Sequence, residues 1–165
     1  MKKILACAFV AMLCVAWAAP SAHALGVYGI WWMPNDSDDD GWGIGIKDTR
    51  KFTPLLSVDG RLGWVSFSTP DADIIPLEAT ALVHLAMWYG GLGAGYYFFT
   101  GDAPIDDSWG WYALLGLEIA LGKTGVFGEV KWQFLDPDIG AGSGLSADFD
   151  SVVIHAGATF GIPLR

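Results

Sequence analysis

Side chains able to do acid–base or nucleophilic chemistry are few and scattered in this 165-residue sequence. A serine nucleophile needs a histidine base within hydrogen-bond reach, and on one face of a strand that pair would be spaced as His-x-Ser. His84 is followed two residues later by Ala86, and His155 by Gly157. We therefore expect both histidines to make structural hydrogen bonds, and we predict that the chain is not an enzyme.

Sites for phosphates and metal ions have equally weak support. The Gly-x-Gly repeats fall within predicted strands and not at a strand-to-helix turn, where a phosphate loop would lie. The acidic runs 36–40 and 136–148 supply the carboxylate oxygens that Ca²⁺ and Mg²⁺ prefer, but without the spacing of a defined calcium loop. Because runs of like charge usually stay solvated, we predict no cofactor, with divalent-cation binding by these runs as the alternative.

The composition excludes other classes of protein. Nine Lys and Arg residues stand against 18 Asp and Glu, for a net charge of -9, so we expect no nucleic-acid partner. The chain is 53% hydrophobic, and its mean hydropathy of +0.39 is typical of a membrane protein. However, 22 glycines and 9 tryptophans are unusual in a bundle of transmembrane helices. The elements that position the polar side chains must resolve this conflict.

Residues 1–24 have the pattern of a secretory signal peptide. A short basic start precedes an apolar stretch over 4–19, and an A-x-A cleavage motif ends at Ala24. The sequence thus predicts export by the general secretory route, followed by a mature domain of residues 25–165.

Cleavage would change the charge and the redox chemistry of the domain. It removes Lys2 and Lys3, which makes the net charge -11, and it removes Cys7 and Cys14, so the mature domain has no disulfide or thiolate site. Two alternatives stay open. One is an uncleaved membrane anchor, although Pro20 interrupts the apolar run. The other is a lipoprotein acylated at Cys7, which would have almost no apolar region before the cysteine.

Alternating apolar and polar residues in the mature domain predict β-strands separated by clusters of Gly, Pro, Asp and Ser. The clearest hairpin surrounds Gly122-Lys123, a two-residue turn with glycine where a type II′ turn prefers it. Pairing Leu121 with Thr124 then sets the register of that hairpin. We predict eight strands, over 26–34, 41–49, 55–68, 74–84, 87–100, 109–121, 124–135 and 150–163.

Residues 81–100 carry no formal charge and are long enough for a transmembrane helix, which is the alternative to two strands. Four glycines lie within 90–95, and each costs about 1 kcal/mol relative to alanine in a helix. The aromatic run 96–99 prefers strands. We therefore predict the end of the fourth strand, a tight turn and the fifth strand.

The predicted strands alternate between an apolar face and a sparse polar face rich in glycine. Strands of about ten residues with an apolar outer band and a polar interior are typical of a transmembrane β-barrel. We predict an all-β fold, an eight-stranded antiparallel up-and-down transmembrane β-barrel preceded by the cleavable signal peptide. The polar faces would form a lumen network of Asp59, Arg61, Glu78, His84, Glu118, Glu129, Lys131 and His155.

An eight-stranded barrel is only wide enough for side chains to fill its interior. Charges cut off from water need partners, and the mixed signs of the lumen set allow internal pairing. We therefore predict a closed lumen, with a narrow gated pore as the alternative. We hypothesise that Glu118, Glu129 and Lys131 form one cluster.

The connections between the strands alternate in length and charge, as expected for a barrel with long outer loops and short periplasmic turns. The connections 35–40, 69–73, 101–108 and 136–150 hold 13 of the 18 acidic residues and no Lys or Arg. The turns at the other end hold Arg50, Lys51 and Lys123.

Tryptophans near strand ends are candidates for aromatic girdles at the two membrane interfaces, although some would pack in the lumen. The girdle candidates are Trp31, Trp32, Trp42, Trp64, Trp109, Trp111 and Trp132.

Together with the local phrases YGGLGAGY over 89–96 and GVFGEVKW over 125–132, these features resemble the small eight-stranded outer-membrane barrels of the OmpA/OmpX type. The resemblance covers residues 25–165. It implies location in the outer membrane of a Gram-negative-type cell envelope, insertion by the barrel assembly machinery, and contact with outer-membrane lipid and lipopolysaccharide. Such barrels commonly end in an aromatic residue, whereas here five residues follow Phe160.

The resemblance implies a structural or surface-interaction role, with the acidic loops available to a surface ligand. Three alternatives stay open: a narrow porin, a lipid-modifying barrel hydrolase, and a secreted soluble β-barrel that binds a small ligand.

Overall fold

A computed structural model of the chain describes residues 22–35, 39–68, 72–101, 106–135, 138–139, 145–146 and 150–162. The described strands are β1 Ala22–Pro34, β2 Gly41–Lys51, β3 Leu56–Phe67, β4 Ala72–Leu85, β5 Trp88–Gly101, β6 Ser108–Leu121, β7 Thr124–Leu135, β8 Asp138–Ile139, β9 Leu145–Ser146 and β10 Ser151–Ile162. Most of the predicted signal peptide, over residues 1–21, lies outside the described residues.

Eight strands close into one antiparallel barrel in the order β1, β10, β7, β6, β5, β4, β3, β2. These are the eight predicted strands. The two-residue strands β8 and β9 pair with each other inside the connection 136–150 and were not predicted. Asp73 was assigned to a connection but lies in β4, because that strand begins two residues earlier than predicted. The eight-stranded antiparallel barrel is confirmed.

The predicted register of the β6–β7 hairpin is confirmed, since Leu121 pairs with Thr124 and Gly116 with Glu129. Gly122 has a φ of 72°, in the left-handed region that glycine adopts freely at the first position of such a turn. Residues 81–100 lie in β4, a turn and β5, as predicted. In the portion of the chain that is described, no helix is long and apolar enough to cross a membrane.

The first strand begins earlier than predicted. Ala22 pairs with Lys51 and His23 with Arg50, so β1 includes the A-x-A motif at which cleavage is predicted. Cleavage after Ala24 would shorten β1 by three residues and leave the pairs from Leu25 to Trp32 with β2 in place.

The outer wall of the barrel is apolar, whereas the charged side chains Asp59, Arg61, Glu78, Glu129 and Lys131 are buried in the lumen, the reverse of a soluble protein. A soluble monomer rarely exposes an apolar patch larger than a few hundred Å², whereas here exposed aliphatic side chains occur on all the barrel strands from β1 to β7. Exposed aliphatic residues of these strands include Leu25, Val27, Ile44, Ile46, Leu62, Leu77, Val83, Leu92, Leu115, Ile119 and Val126. This distribution is that of a lipid-facing barrel.

The barrel has two unlike ends, which we name by their connections. The loop end carries the connections 35–40, 68–71, 102–107 and 136–150, and the turn end carries 52–55, 86–87 and 122–123 together with the start of β1 and the end of β10. Near the loop end, the lumen is filled by a largely apolar core. Its fully or nearly fully buried members include Trp32, Val65, Phe67, Ile74, Tyr97, Leu135 and Val153.

Candidate functional site

The centre of the lumen is an ion network built around the Glu129 carboxylate. Arg61 donates from Nη1 to Glu129 Oε2 at 2.5 Å and from Nη2 to Asp59 Oδ2 at 2.6 Å. Lys47 Nζ lies 2.9 Å from Glu129 Oε1, and the Tyr89 hydroxyl donates to the same oxygen at 2.6 Å. Both carboxylate oxygens therefore have cationic partners, as a buried charge requires.

The register of the strands explains part of this network. Lys47 of β2 pairs with Arg61 of β3, so their side chains enter the lumen side by side. His155 of β10 pairs with Glu129 of β7, and its Nδ1 lies 3.2 Å from Glu129 Oε2. The contact between Arg61 and Glu129 is different, because β3 and β7 are not neighbours. It crosses the lumen.

A second ion pair lies beside the first and nearer to the loop end. Lys131 Nζ donates to Glu78 Oε1 at 2.5 Å, and the Tyr97 hydroxyl donates to the same oxygen at 2.8 Å. The Lys131 ammonium also lies 4.8 Å from the centre of the Tyr112 ring and 5.5 Å from that of Trp32, within the range of cation–π attraction.

The buried charges of the two groups balance. Three cations, Lys47, Arg61 and Lys131, stand with three carboxylates, Asp59, Glu78 and Glu129. A network that is neutral overall and paired at each carboxylate can exist away from water, whereas removal of one partner would leave an uncompensated charge.

Glycines give the long lumen side chains their space. A Cβ on each of three inward glycines would lie 2.3 to 2.5 Å from a tyrosine ring on a neighbouring strand. The pairs are Gly45 with Tyr28, Gly93 with Tyr112, and Gly116 with Tyr89. One of these tyrosines, Tyr89, is a hydrogen-bond donor to the ion network, so the glycines position it indirectly.

Two residues of the predicted network lie apart from it. Glu118 accepts a hydrogen bond from Thr159 Oγ1 at 2.5 Å, and His84 Nε2 lies 2.7 Å from Ser57 Oγ, both near the turn end. The hypothesis of one cluster of Glu118, Glu129 and Lys131 is wrong. All three point inward, but Glu129 binds Arg61 and Lys47, while the other two have different partners.

The Ser57–His84 pair escaped the sequence reasoning because its members lie on neighbouring strands, 27 residues apart. Its spacing would suit a nucleophile and a base. However, Ser57 is only 3% exposed. In the described part of the chain, no carboxylate is hydrogen-bonded to His84 to orient its ring. The arrangement therefore has the hydrogen bond of a catalytic pair, but the serine is not accessible to a substrate and no carboxylate of the described residues orients the histidine.

The tryptophans predicted for the girdles lie near the loop end of the barrel. Six of the seven candidates face outward, within three residues of the loop end of their strands: Trp31, Trp42, Trp64, Trp109, Trp111 and Trp132. Trp31 stacks on Trp42 at 5.2 Å between ring centres and donates from Nε1 to Asp40. At the turn end the exposed aromatic residues include Trp88 at the start of β5 and Phe160 near the end of β10, so aromatic side chains lie near strand ends on both sides, as expected. Trp32 is buried in the lumen.

Metal binding has no geometric support within the ranges that the structure describes, where no group of three or more His, Cys, Asp or Glu side chains could hold an ion. Much of the acidic connections, including residues 36–38, 102–105 and 140–144, lies outside these ranges. Cation binding by the acidic runs stays a prediction.

Solved structures similar to this one are transmembrane β-barrels. The crystal structure of Neisserial surface protein A matches with a TM-score of 0.58 and 10% sequence identity, over 87% of this chain and 96% of that one. A de novo designed transmembrane β-barrel matches with a TM-score of 0.51 and 12% identity, over 87% of this chain and 98% of that one. The chain has the fold of an outer-membrane β-barrel. No protein-family model matches the sequence, and neither does any curated protein.

Proposed function

We propose that this chain is an outer-membrane protein with a structural and surface-interaction role and a closed lumen. The observation that carries the proposal is the filling of the lumen by a neutral ion network and an apolar core inside an apolar outer wall. Such a barrel gains its stability in lipid and gives solutes no path through its interior, so its connections are the parts that meet other molecules at the cell surface.

The orientation follows from the contrast between the two ends. The acidic connections at the loop end face the cell exterior, and the turn end, with Arg50, Lys51 and Lys123, faces the periplasm. The tryptophans of the loop end would then lie at the level of the outer headgroups, where indole rings prefer to sit. Outer-membrane lipid and lipopolysaccharide are the partners that this orientation brings to the outer wall, and a surface ligand would meet the acidic loops.

Export and insertion belong to the same proposal. The signal-peptide pattern of residues 1–24 supports passage through the general secretory route. The exposed aliphatic band of the barrel supports insertion by the barrel assembly machinery, since such a surface would aggregate in water.

The proposed role needs no catalysis. The Ser57–His84 pair supports a structural reading, because the serine is almost fully buried. An activity-based fluorophosphonate probe should leave the folded protein unlabelled, and labelling that disappears in Ser57→Ala would instead support a hydrolase.

Membrane fractionation and planar-bilayer recording together test the proposal. We expect the chain in the detergent-extracted outer-membrane fraction, with a gel mobility that changes on heating. The purified barrel should give no steady open-channel conductance, because both the apolar core and the ion network would block it. A large and stable conductance would favour the narrow porin, and a soluble mature chain would overturn the membrane location.

A further inference from the structure

The turn end of the lumen contains a cavity of about 460 Å³, which we call the periplasmic cup because the proposed orientation turns it to the periplasm. Its volume lies within the roughly 300–1,000 Å³ of sites that hold small molecules. Tyr89 forms part of its wall, and the hydroxyl of that residue is already bound to Glu129. The cup therefore ends where the ion network begins.

The cup is lined by two lysines that form no ion pair in the described ranges. Lys51 at the end of β2 and Lys123 in the β6–β7 turn both line it, from opposite sides of the barrel. Neither ammonium forms an ion pair with any residue in the described ranges. Among the described residues, buried or partly buried ion pairs with carboxylates instead involve Lys47, Arg50, Arg61 and Lys131.

Two further groups shape the chemistry of the cup. His84 lines it, and when Ser57 Oγ donates to Nε2 the other ring nitrogen carries the proton and is a free donor. Glu118 is the one carboxylate among the lining residues, and it accepts a hydrogen bond from Thr159 at 2.5 Å. With neutral histidines, the lining carries two positive charges and one negative charge.

We propose that the periplasmic cup binds the phosphate group of a small phosphate ester. Lysine ammonium groups bind phosphate as point charges, and two of them on opposite walls match a group with up to two negative charges. The volume accommodates a glycerol phosphate or a sugar phosphate in addition to the phosphate group itself. The ester comes either from a soluble metabolite or from the headgroup of a phospholipid in the adjacent leaflet.

The local charge opposes the charge of the whole molecule. The chain has a net charge of -9, and the acidic connections lie at the other end. An anion that approaches the turn end therefore meets the basic surface of a protein that otherwise repels it. The predicted cleavage would remove two lining residues, His23 and Ala24, and so widen the rim of the cup. The groups that carry this proposal, Lys51, His84 and Lys123, all belong to residues 25–165 and survive that cleavage.

Titration of the folded barrel with glycerol 3-phosphate tests the proposal, in a maltoside detergent that has no phosphate of its own. We expect saturable binding, with backbone NMR shifts confined to the cup, at residues such as His84, Gly122 and Gly125. The double variant Lys51→Gln/Lys123→Gln should weaken binding at least tenfold. The matched control is Arg50→Gln, which removes a cation of the same end that is paired with Asp48 on the outer wall, and it should leave the affinity unchanged.

Three results would overturn the proposal: no saturable binding by the unaltered protein, equal affinity in the double variant, or an equal loss in Arg50→Gln, which would indicate general charge attraction. The shift mapping on the unaltered protein stands even if the double variant fails to fold.

Nanodiscs then separate the two sources of the ester. If phosphatidylglycerol nanodiscs weaken the binding of glycerol 3-phosphate relative to phosphatidylcholine nanodiscs, the lipid headgroup is the ligand. If the affinity for glycerol 3-phosphate is the same in both, the ligand is a soluble ester. The bilayer recordings above test closure of the lumen and are independent of this result.

Discussion

The lumen is filled by aromatic and aliphatic side chains near the loop end, such as Trp32, Phe67 and Leu135, whereas near the turn end it opens into the periplasmic cup. The ion network of Glu129 and Glu78 lies between them. The lumen is therefore closed by two layers, an apolar layer stabilised by burial and packing and a charged layer stabilised by ion pairing. A substitution that disrupts one layer would leave the other in place.

The largest expected effect comes from breaking the charged layer. Glu129→Ala leaves the Arg61 guanidinium and the Lys47 ammonium without their shared carboxylate, and loss of one partner of a buried pair costs about 3–5 kcal/mol. The free energy of unfolding, from urea titration in lipid vesicles, should fall by that amount. Glu118→Ala is the control at the edge of the cup, and an equal loss there would contradict the special position of Glu129.

The apolar layer should respond to a cavity. Ile74 is 1% exposed in the loop-end core, and Ile74→Ala should lower the free energy of unfolding by about 2–5 kcal/mol in the same urea titration. Ile44→Ala makes the same chemical change on the outer wall, where the side chain is 68% exposed. Because lipid can fill that space, the loss should be smaller. Equal losses would mean that the loop-end core is loosely packed.

The boundary between the layers is a hydrogen bond. Tyr97 belongs to the apolar core, yet its hydroxyl donates to Glu78 at 2.8 Å. Tyr97→Phe should lower the free energy of unfolding by about 1.5–3 kcal/mol, the usual contribution of a hydrogen bond to a charged group. Tyr96→Phe, on the outer wall of the same strand, is the matched control and should be nearly neutral in thermal melts followed by gel mobility. The prediction fails if the two variants have the same melting temperature.

The smallest effect is expected on the outer wall. A Cβ at Gly128 meets no atom within 4 Å, so Gly128→Ala should change the free energy of unfolding by no more than about 0.5 kcal/mol. Gly43 is the inward counterpart, where a Cβ would lie 2.0 Å from the carbonyl oxygen of Trp64, and its alanine variant should refold poorly. The measurement is the refolding yield of the two variants in vesicles, and equal yields would contradict this contrast.

Much of the fold could be predicted from the sequence because strand pairing has a period of two and each turn fixes a register. The glycine at 122 was sufficient to place Leu121 opposite Thr124. Alternation of this kind also places Glu129 and Lys131 on one face. Alternation and turn geometry are local properties, so they predict which residues share a face within a strand and across a hairpin.

The partners inside the lumen could not be predicted in the same way. The contact of Arg61 with Glu129 joins strands that are not neighbours, and its existence depends on the width and tilt of the closed barrel. The apolar core was missed for another reason. In places such as Trp31-Trp32 and Trp64-Val65, both faces of the strand are apolar, so the alternation that marks the lumen side disappears.

The unequal girdle of tryptophans has a consequence for bilayers of different thickness. Indole rings fix the depth of a protein at a headgroup layer, and here six of them do so at the loop end, whereas the described part of the turn end has one, Trp88. When the hydrocarbon region becomes thinner or thicker, the mismatch must be taken up somewhere along the wall. More of it will be taken up at the turn end, so the loops keep a nearly constant height above the membrane while the opposite rim rises or sinks with the lipid.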